Sequence, residues 1–117
     1  MIVTKRVYEK PAKDDGFRVL VDRLWPRGLT KEKARVDLWM KEIAPSDTLR
    51  KWFHHEEGAW PEFEKRYRTE LKKQDKLLAE LRRLEKEHGK LTLLFGSKDE
   101  KQNQAVVLAE ILKGGRR

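Results

Sequence analysis

The chain predicts a small α/β domain: a mainly parallel sheet of about four strands packed by helices. Three observations carry that reading. Short aliphatic runs at 19–21 and 91–95 look like buried strands, and each is followed by a turn and then a helical pattern. Between them, residues 60–88 form a long, charged, amphipathic helical segment. A parallel return between strands needs a crossover, and a helix is the usual one. At 117 residues the size prior is a single domain spanning 1–117.

Taken in order, residues 2–7 alternate apolar and polar positions imperfectly, as a first strand would. Pro11, the Asp14-Asp15 pair and Gly16 make 10–16 a loop. Residues 17–22 read as a second, more buried strand. It runs into Arg23-Leu24-Trp25-Pro26-Arg27-Gly28, where Pro26 fixes its own φ, holds Trp25 extended, and Gly28 permits a turn. The result should be a rigid cationic loop. Thr30 is a fitting N-cap, with Glu32 in the first turn of a short helix ending near Arg35.

In 37–44, Leu38 and Met40 alternate with Trp39, Lys41 and Ile43, which reads as a third strand with a helix as the alternative. Ala44-Pro45 ends it, and Ser46 caps a helix presenting Leu49, Trp52 and Phe53 on one side. Trp60, Phe63, Tyr67, Leu71, Leu78, Leu81 and Leu84 then recur at spacings of three, four and seven. The expected break is Lys72-Lys73-Gln74-Asp75, with Asp75 capping the second piece and His88-Gly89 stopping it. After the strand at 91–95 come a turn at 96–99 and a last helix over 103–113 with a wide apolar face.

Charged residues make up 41% of the chain, against roughly 25% in an average globular protein. The core must therefore be lean. The absence of cysteine excludes disulfides, cysteine-ligated zinc and thiol chemistry, and fits a reducing, cytoplasmic location. Neither a signal peptide nor an apolar run of membrane length is visible. The net charge of +8 raises nucleic acid as a partner, since 1–36 alone hold ten Lys/Arg against five Asp/Glu.

If strands 17–22 and 91–95 are neighbours, their C-terminal ends bring Arg23, Trp25 and Arg27 beside Lys98, Asp99 and Asn103, where open α/β sheets bind ligands. Either arginine can clamp a carboxylate or phosphate, or simply stay solvated or pair with Asp22 or Asp99. Trp25 can stack on a ring or serve as a packing wedge. Lys98 suits an anion, while Asp99 and Asn103 suit caps and turns equally well. No glycine-rich Lys-Ser/Thr cradle for a nucleoside triphosphate is present. His55 is the imidazole placed for acid–base work, and Asp99 is its candidate partner. Adjacent histidines diverge on a helix and no carboxylate has ligand spacing, so neither a metal nor another cofactor is expected.

The runs Asp15-Gly16-Phe17-Arg18-Val19-Leu20-Val21-Asp22-Arg23-Leu24-Trp25-Pro26-Arg27-Gly28, Leu49-Arg50-Lys51-Trp52-Phe53 and Lys98-Asp99, with Asn103 and Ala105-Val106-Val107-Leu108, closely resemble the YeaO-like family. This is a bacterial and archaeal family of domains of unknown function. Leu38-Trp39, Ala44-Pro45-Ser46, Trp60 and Arg66-Tyr67 extend the resemblance over nearly the whole chain. It implies a compact α/β fold and a polar signature on Arg23, Trp25, Pro26, Arg27, Trp52, His55, Lys98, Asp99 and Asn103. Two positions depart from it: His54, where the family often has Gly, and Gln102, where it often has His.

The expected function is binding of a phosphate- or carboxylate-bearing small molecule, nucleotide-like ligands included, by Arg23, Trp25, Arg27, Trp52, Lys98 and Asn103. Hydrolysis or group transfer would draw on His55 and Asp99, with arginines stabilising developing charge. Two alternatives stand beside it: a nucleic-acid-binding module using the basic N-terminal third, and an interaction domain pairing through helix 60–88, as in a homo-oligomer.

Overall fold

The computed structural model describes residues 1–55 and 59–114, with the side chains of His54 and His55 outside the description. Four strands, β1 (Ile2–Arg6), β2 (Phe17–Leu20), β3 (Leu38–Trp39) and β4 (Leu91–Phe95), pair in the spatial order β1-β4-β2-β3, all parallel. The two strands expected to be the most buried are thus central neighbours. Val19 lies opposite Leu93, and the Val21 N–H adds a last rung at 3.1 Å to the Leu94 carbonyl.

Five helices complete the chain: α1 (Lys31–Ala34), α2 (Asp47–His55), α3 (Trp60–Leu71), α4 (Asp75–His88) and α5 (Gln104–Gly114). Strand alternation sorts the core into two faces. Val19, Val21, Leu91, Leu93 and Phe95 join the larger cluster with α3, α4 and α5. Leu20 and Leu94 point the other way, against Val7, Ala34, Trp25 and Trp39. Because both faces are covered, β2 and β4 read as continuous apolar runs rather than alternating ones.

Local chemistry sets most boundaries. Thr30 caps α1 through the Lys33 N–H, and the Ser46 hydroxyl takes the Leu49 N–H at the start of α2. Gly89 closes α4 at φ +79°, a backbone conformation that suits glycine. Two expectations need correction. The strand expected over 37–44 covers only Leu38–Trp39 and gives way to a 3-10 turn at Lys41–Ile43. The Met40 N–H makes the last bond, to the Leu20 carbonyl, and β2 then leaves the sheet, so β3 has nothing further to pair with. The break between α3 and α4 lies where expected, but Asp75 is the first residue of α4 rather than its cap. Gln74 holds the cap position and uses its side chain on the Glu42 carbonyl at 3.2 Å. Among the described residues, no helix is long and apolar enough to cross a membrane.

Under the smaller face the 10–16 loop contains a 3-10 turn, Lys13–Asp15, that buries the Asp15 side chain. Its carboxylate accepts from Lys5 Nζ at 3.1 Å and Arg18 Nη1 at 2.5 Å, and the Asp15 carbonyl accepts from the Thr92 hydroxyl. Lys5, Arg18 and Thr92 come from three strands, so the loop is stitched to the sheet. Arg18 also donates to the Ala34 and Arg35 carbonyls and so closes the C-terminus of α1.

Candidate functional site

At the C-terminal ends of the strands, the chain leaves β2 and β4 as two loops that diverge around a cleft of about 520 Å³. Asp22, Arg23, Leu24, Trp25 and Pro26 supply one wall, and Gly96, Ser97, Lys98, Gln102, Asn103 and Gln104 supply another. Arg50 and Phe53 of α2, Phe63 of α3 and the Ala44-Pro45 turn close the remaining side. The volume falls in the ~300–1,000 Å³ range of small-molecule sites.

Asp22 ties the two loops together. Its Oδ2 accepts the Gly96 N–H at 2.8 Å, its Oδ1 accepts from the Gln104 side-chain amide, and its carbonyl takes the Trp39 indole N–H at 2.8 Å. A Cβ at position 96 would lie 2.8 Å from Asp22 Oδ2, so any larger residue there would push the carboxylate aside. Burial pushes the Asp22 carboxyl up to about 6, with the bonds from Gly96 and Gln104 pulling the other way.

Four of the six residues expected to bind a ligand surround this cleft, and two do not. Arg23 lines it, but its Nε and Nη2 hold the Pro45 and Ala44 carbonyls at 3.0 and 3.2 Å. Trp25 lines it as well. Its indole N–H is bonded to the Leu29 carbonyl at 2.7 Å and its ring meets Trp39 edge-on, so it is built in as a wedge. Lys98 is exposed on the rim. Asn103 is buried and caps α5: Oδ1 takes the Val106 N–H while Nδ2 donates to the Asp99 carbonyl.

Arg27 lies outside the cleft and is exposed, and its carbonyl takes the Tyr8 hydroxyl. The loop turns after Pro26, so the two arginines of the motif part company. Trp52 packs on the core with the Arg66 guanidinium 4.3 Å above its ring. Asp99 sits beside the cleft as a turn residue. Its Oδ1 accepts the Lys101 and Gln102 N–H groups, which hold its carboxyl below the usual range. The His55 side chain, its candidate partner, lies outside the described residues.

Sequence reasoning missed Arg50 and Gln104, and treated Asp22 only as an ion-pair partner. Arg50 Nε is buried with no hydrogen-bond partner, although Nη2 reaches Asp47 at 3.1 Å. The spacing of Arg50 and Phe53, one helical turn apart and both on the cleft, was a readable signal. Among the described residues, no group of three His, Cys, Asp or Glu could hold a metal ion.

A family model described as "Inactive DUF488-N3 subclade", DUF488-N3i, matches residues 1–115. The chain is 44% identical over 115 residues to "Uncharacterized protein YeaO" of Escherichia coli (strain K12), covering 96% of each. It is also 44% identical over 109 residues to "Uncharacterized protein Rv3073c" of Mycobacterium tuberculosis, covering 93% of this chain and 91% of that one. No solved structure matches it.

Proposed function

The chain belongs to the DUF488-N3i family, alongside the YeaO-like proteins, and on that premise we propose that its cleft binds a small molecule carrying a phosphate or carboxylate. The observation that carries the proposal is Arg50, a partly exposed guanidinium on the cleft wall whose Nη2 reaches Asp47. Lys98 on the rim adds a second cation, and Arg23 a third that is partly engaged by carbonyls. The anion site therefore rests on Arg50 and Lys98 more than on the Arg23 and Arg27 pair.

Binding without turnover is the favoured form of the proposal. The family's description as an inactive subclade supports it, as does the use of Asp99 in a turn. Hydrolysis or group transfer through Asp99 would first have to release its carboxylate from the turn it holds. The nucleic-acid reading is less favoured, because Trp25 is fixed by Leu29 and Trp39 at the wall of a cleft rather than presented on an open face. Pairing through 60–88 loses its apolar surface: Phe63, Tyr67, Leu71, Leu78, Leu81 and Leu84 are buried in the core.

Calorimetric titration with inorganic phosphate and nucleoside monophosphates tests the proposal. Arg50→Ala and Lys98→Ala should each weaken binding roughly fivefold or more, as loss of a charge-assisted contact does. Arg27→Ala should leave affinity unchanged. Equal losses in all three variants, or no binding by the parent, would remove the proposal.

A further inference from the structure

An anion alone leaves part of the cleft unexplained. Asp22 lines it, and both of its partners there, the Gly96 N–H and the Gln104 amide, are neutral. A carboxylate offers about four lone-pair directions, so after these two bonds each oxygen retains acceptor capacity. An ionised carboxylate also repels an anionic group. A ligand whose anion sits at Arg50 and Lys98 must therefore present something else to Asp22, and the complement of two acceptor oxygens is two parallel N–H donors.

We infer that the cleft reads a flat heterocycle through a pair of N–H donors on the Asp22 carboxylate, with the anionic group of the same molecule at Arg50 and Lys98. The inference rests on the anion-binding proposal and adds the opposite end of the ligand. The chemistry that supplies adjacent ring and exocyclic N–H groups on a flat body is the 2-amino-4-oxopyrimidine edge, carried by guanine nucleotides and by pterins. The setting suits such a ring. Leu24, Trp25 and Pro26 from the loop after β2, with Pro45, Phe53 and Phe63, give the cleft apolar surface to cover its faces.

The acceptor is also held in place. Gly96 and Gln104 fix both oxygens. Such fixed acceptors discriminate strongly, since a ligand without the donors leaves them desolvated and unpaired. The raised Asp22 carboxyl reflects burial against neutral donors only.

The test is calorimetric titration of the full chain at pH 7.5 with four probes: guanosine 5′-monophosphate, pterin-6-carboxylate, adenosine 5′-monophosphate and inorganic phosphate. The parent should prefer the guanine or the pterin probe over the adenine one by roughly tenfold or more. Asp22→Asn should erase that preference, while the adenine nucleotide and phosphate bind the variant at least as tightly as the parent because the carboxylate's repulsion is gone. Whichever of the two donor-bearing probes binds tighter identifies the source of the ring. Equal affinity of the parent for the guanine, pterin and adenine probes would overturn the inference and leave anion binding standing, and this arm needs no variant to fold. Persistence of the preference in Asp22→Asn would overturn it as well. No binding of any probe would overturn both this inference and the anion-binding proposal.

Discussion

Asp15 and Asp22 lie seven residues apart at opposite ends of β2, and their surroundings push them in opposite directions. Burial raises the Asp15 carboxyl, but the Ala12 N–H, Lys5 and Arg18 outweigh it and leave the group below its usual value. Asp22 meets desolvation with only neutral donors, and its carboxyl rises to about 6. The Asp15 cluster is closed: two cations and three strands converge on a turn. The Asp22 cluster opens on a cleft where Arg23 bonds the Pro45 and Ala44 carbonyls and Arg50 reaches Asp47. A charge already compensated within the fold builds structure, whereas one left uncompensated beside a cavity is available to a ligand.

The largest effect expected from this contrast is at the closed cluster. Asp15→Asn leaves Arg18 buried beside a neutral group and should cost about 3–5 kcal/mol in denaturant unfolding. Because the folded carboxyl is lowered, its contribution is present above the ordinary value of 3.8 and is lost as pH falls through the folded value. The parent should therefore lose its advantage over the variant in strong acid. A variant as stable as the parent at neutral pH would mean that the network does not hold the loop.

At the open cluster the sign reverses. The folded Asp22 carboxyl is raised, so the folded protein binds more protons between pH 3.8 and about 6, and stability falls as pH rises through that window. The remaining cost above it is about 3 kcal/mol at most. Asp22→Asn keeps the shape and removes the charge, so at pH 7.5 it should unfold at the same or higher denaturant concentration than the parent, with the gap closing in acid. A clear loss of stability at pH 7.5 would place Asp22 with Asp15 as a structural group.

The contrast also marks how far the sequence could be read. β2 and β4 were legible because a strand covered on both faces shows as a short apolar run, which placed them centrally, whereas their adjacency was a condition that the sheet order meets. Thr30, Ser46 and Gly89 were legible because capping is settled within a few residues. The length of β3 was not, since it depends on where β2 departs. Nor was Asp15, which reads as a loop residue until Lys5, Arg18 and Thr92 converge on it. In the cleft, the two loops and Lys98 were legible from strand order, but Arg27 follows a turn that sequence cannot aim, and Arg50 enters from a helix read only for its apolar side.

Carbon-detected NMR of the side-chain carboxyls, followed across pH with and without guanosine 5′-monophosphate, tests the central contrast in one measurement. Asp15 should titrate below its ordinary value in both samples. Asp22 should titrate near 6 in the free protein and fall when the nucleotide binds, because N–H donors favour its ionised form even with Arg23, Arg50 and Lys98 engaged nearby. Titration of both carboxyls near 4, with no response of Asp22 to the nucleotide, would contradict the account.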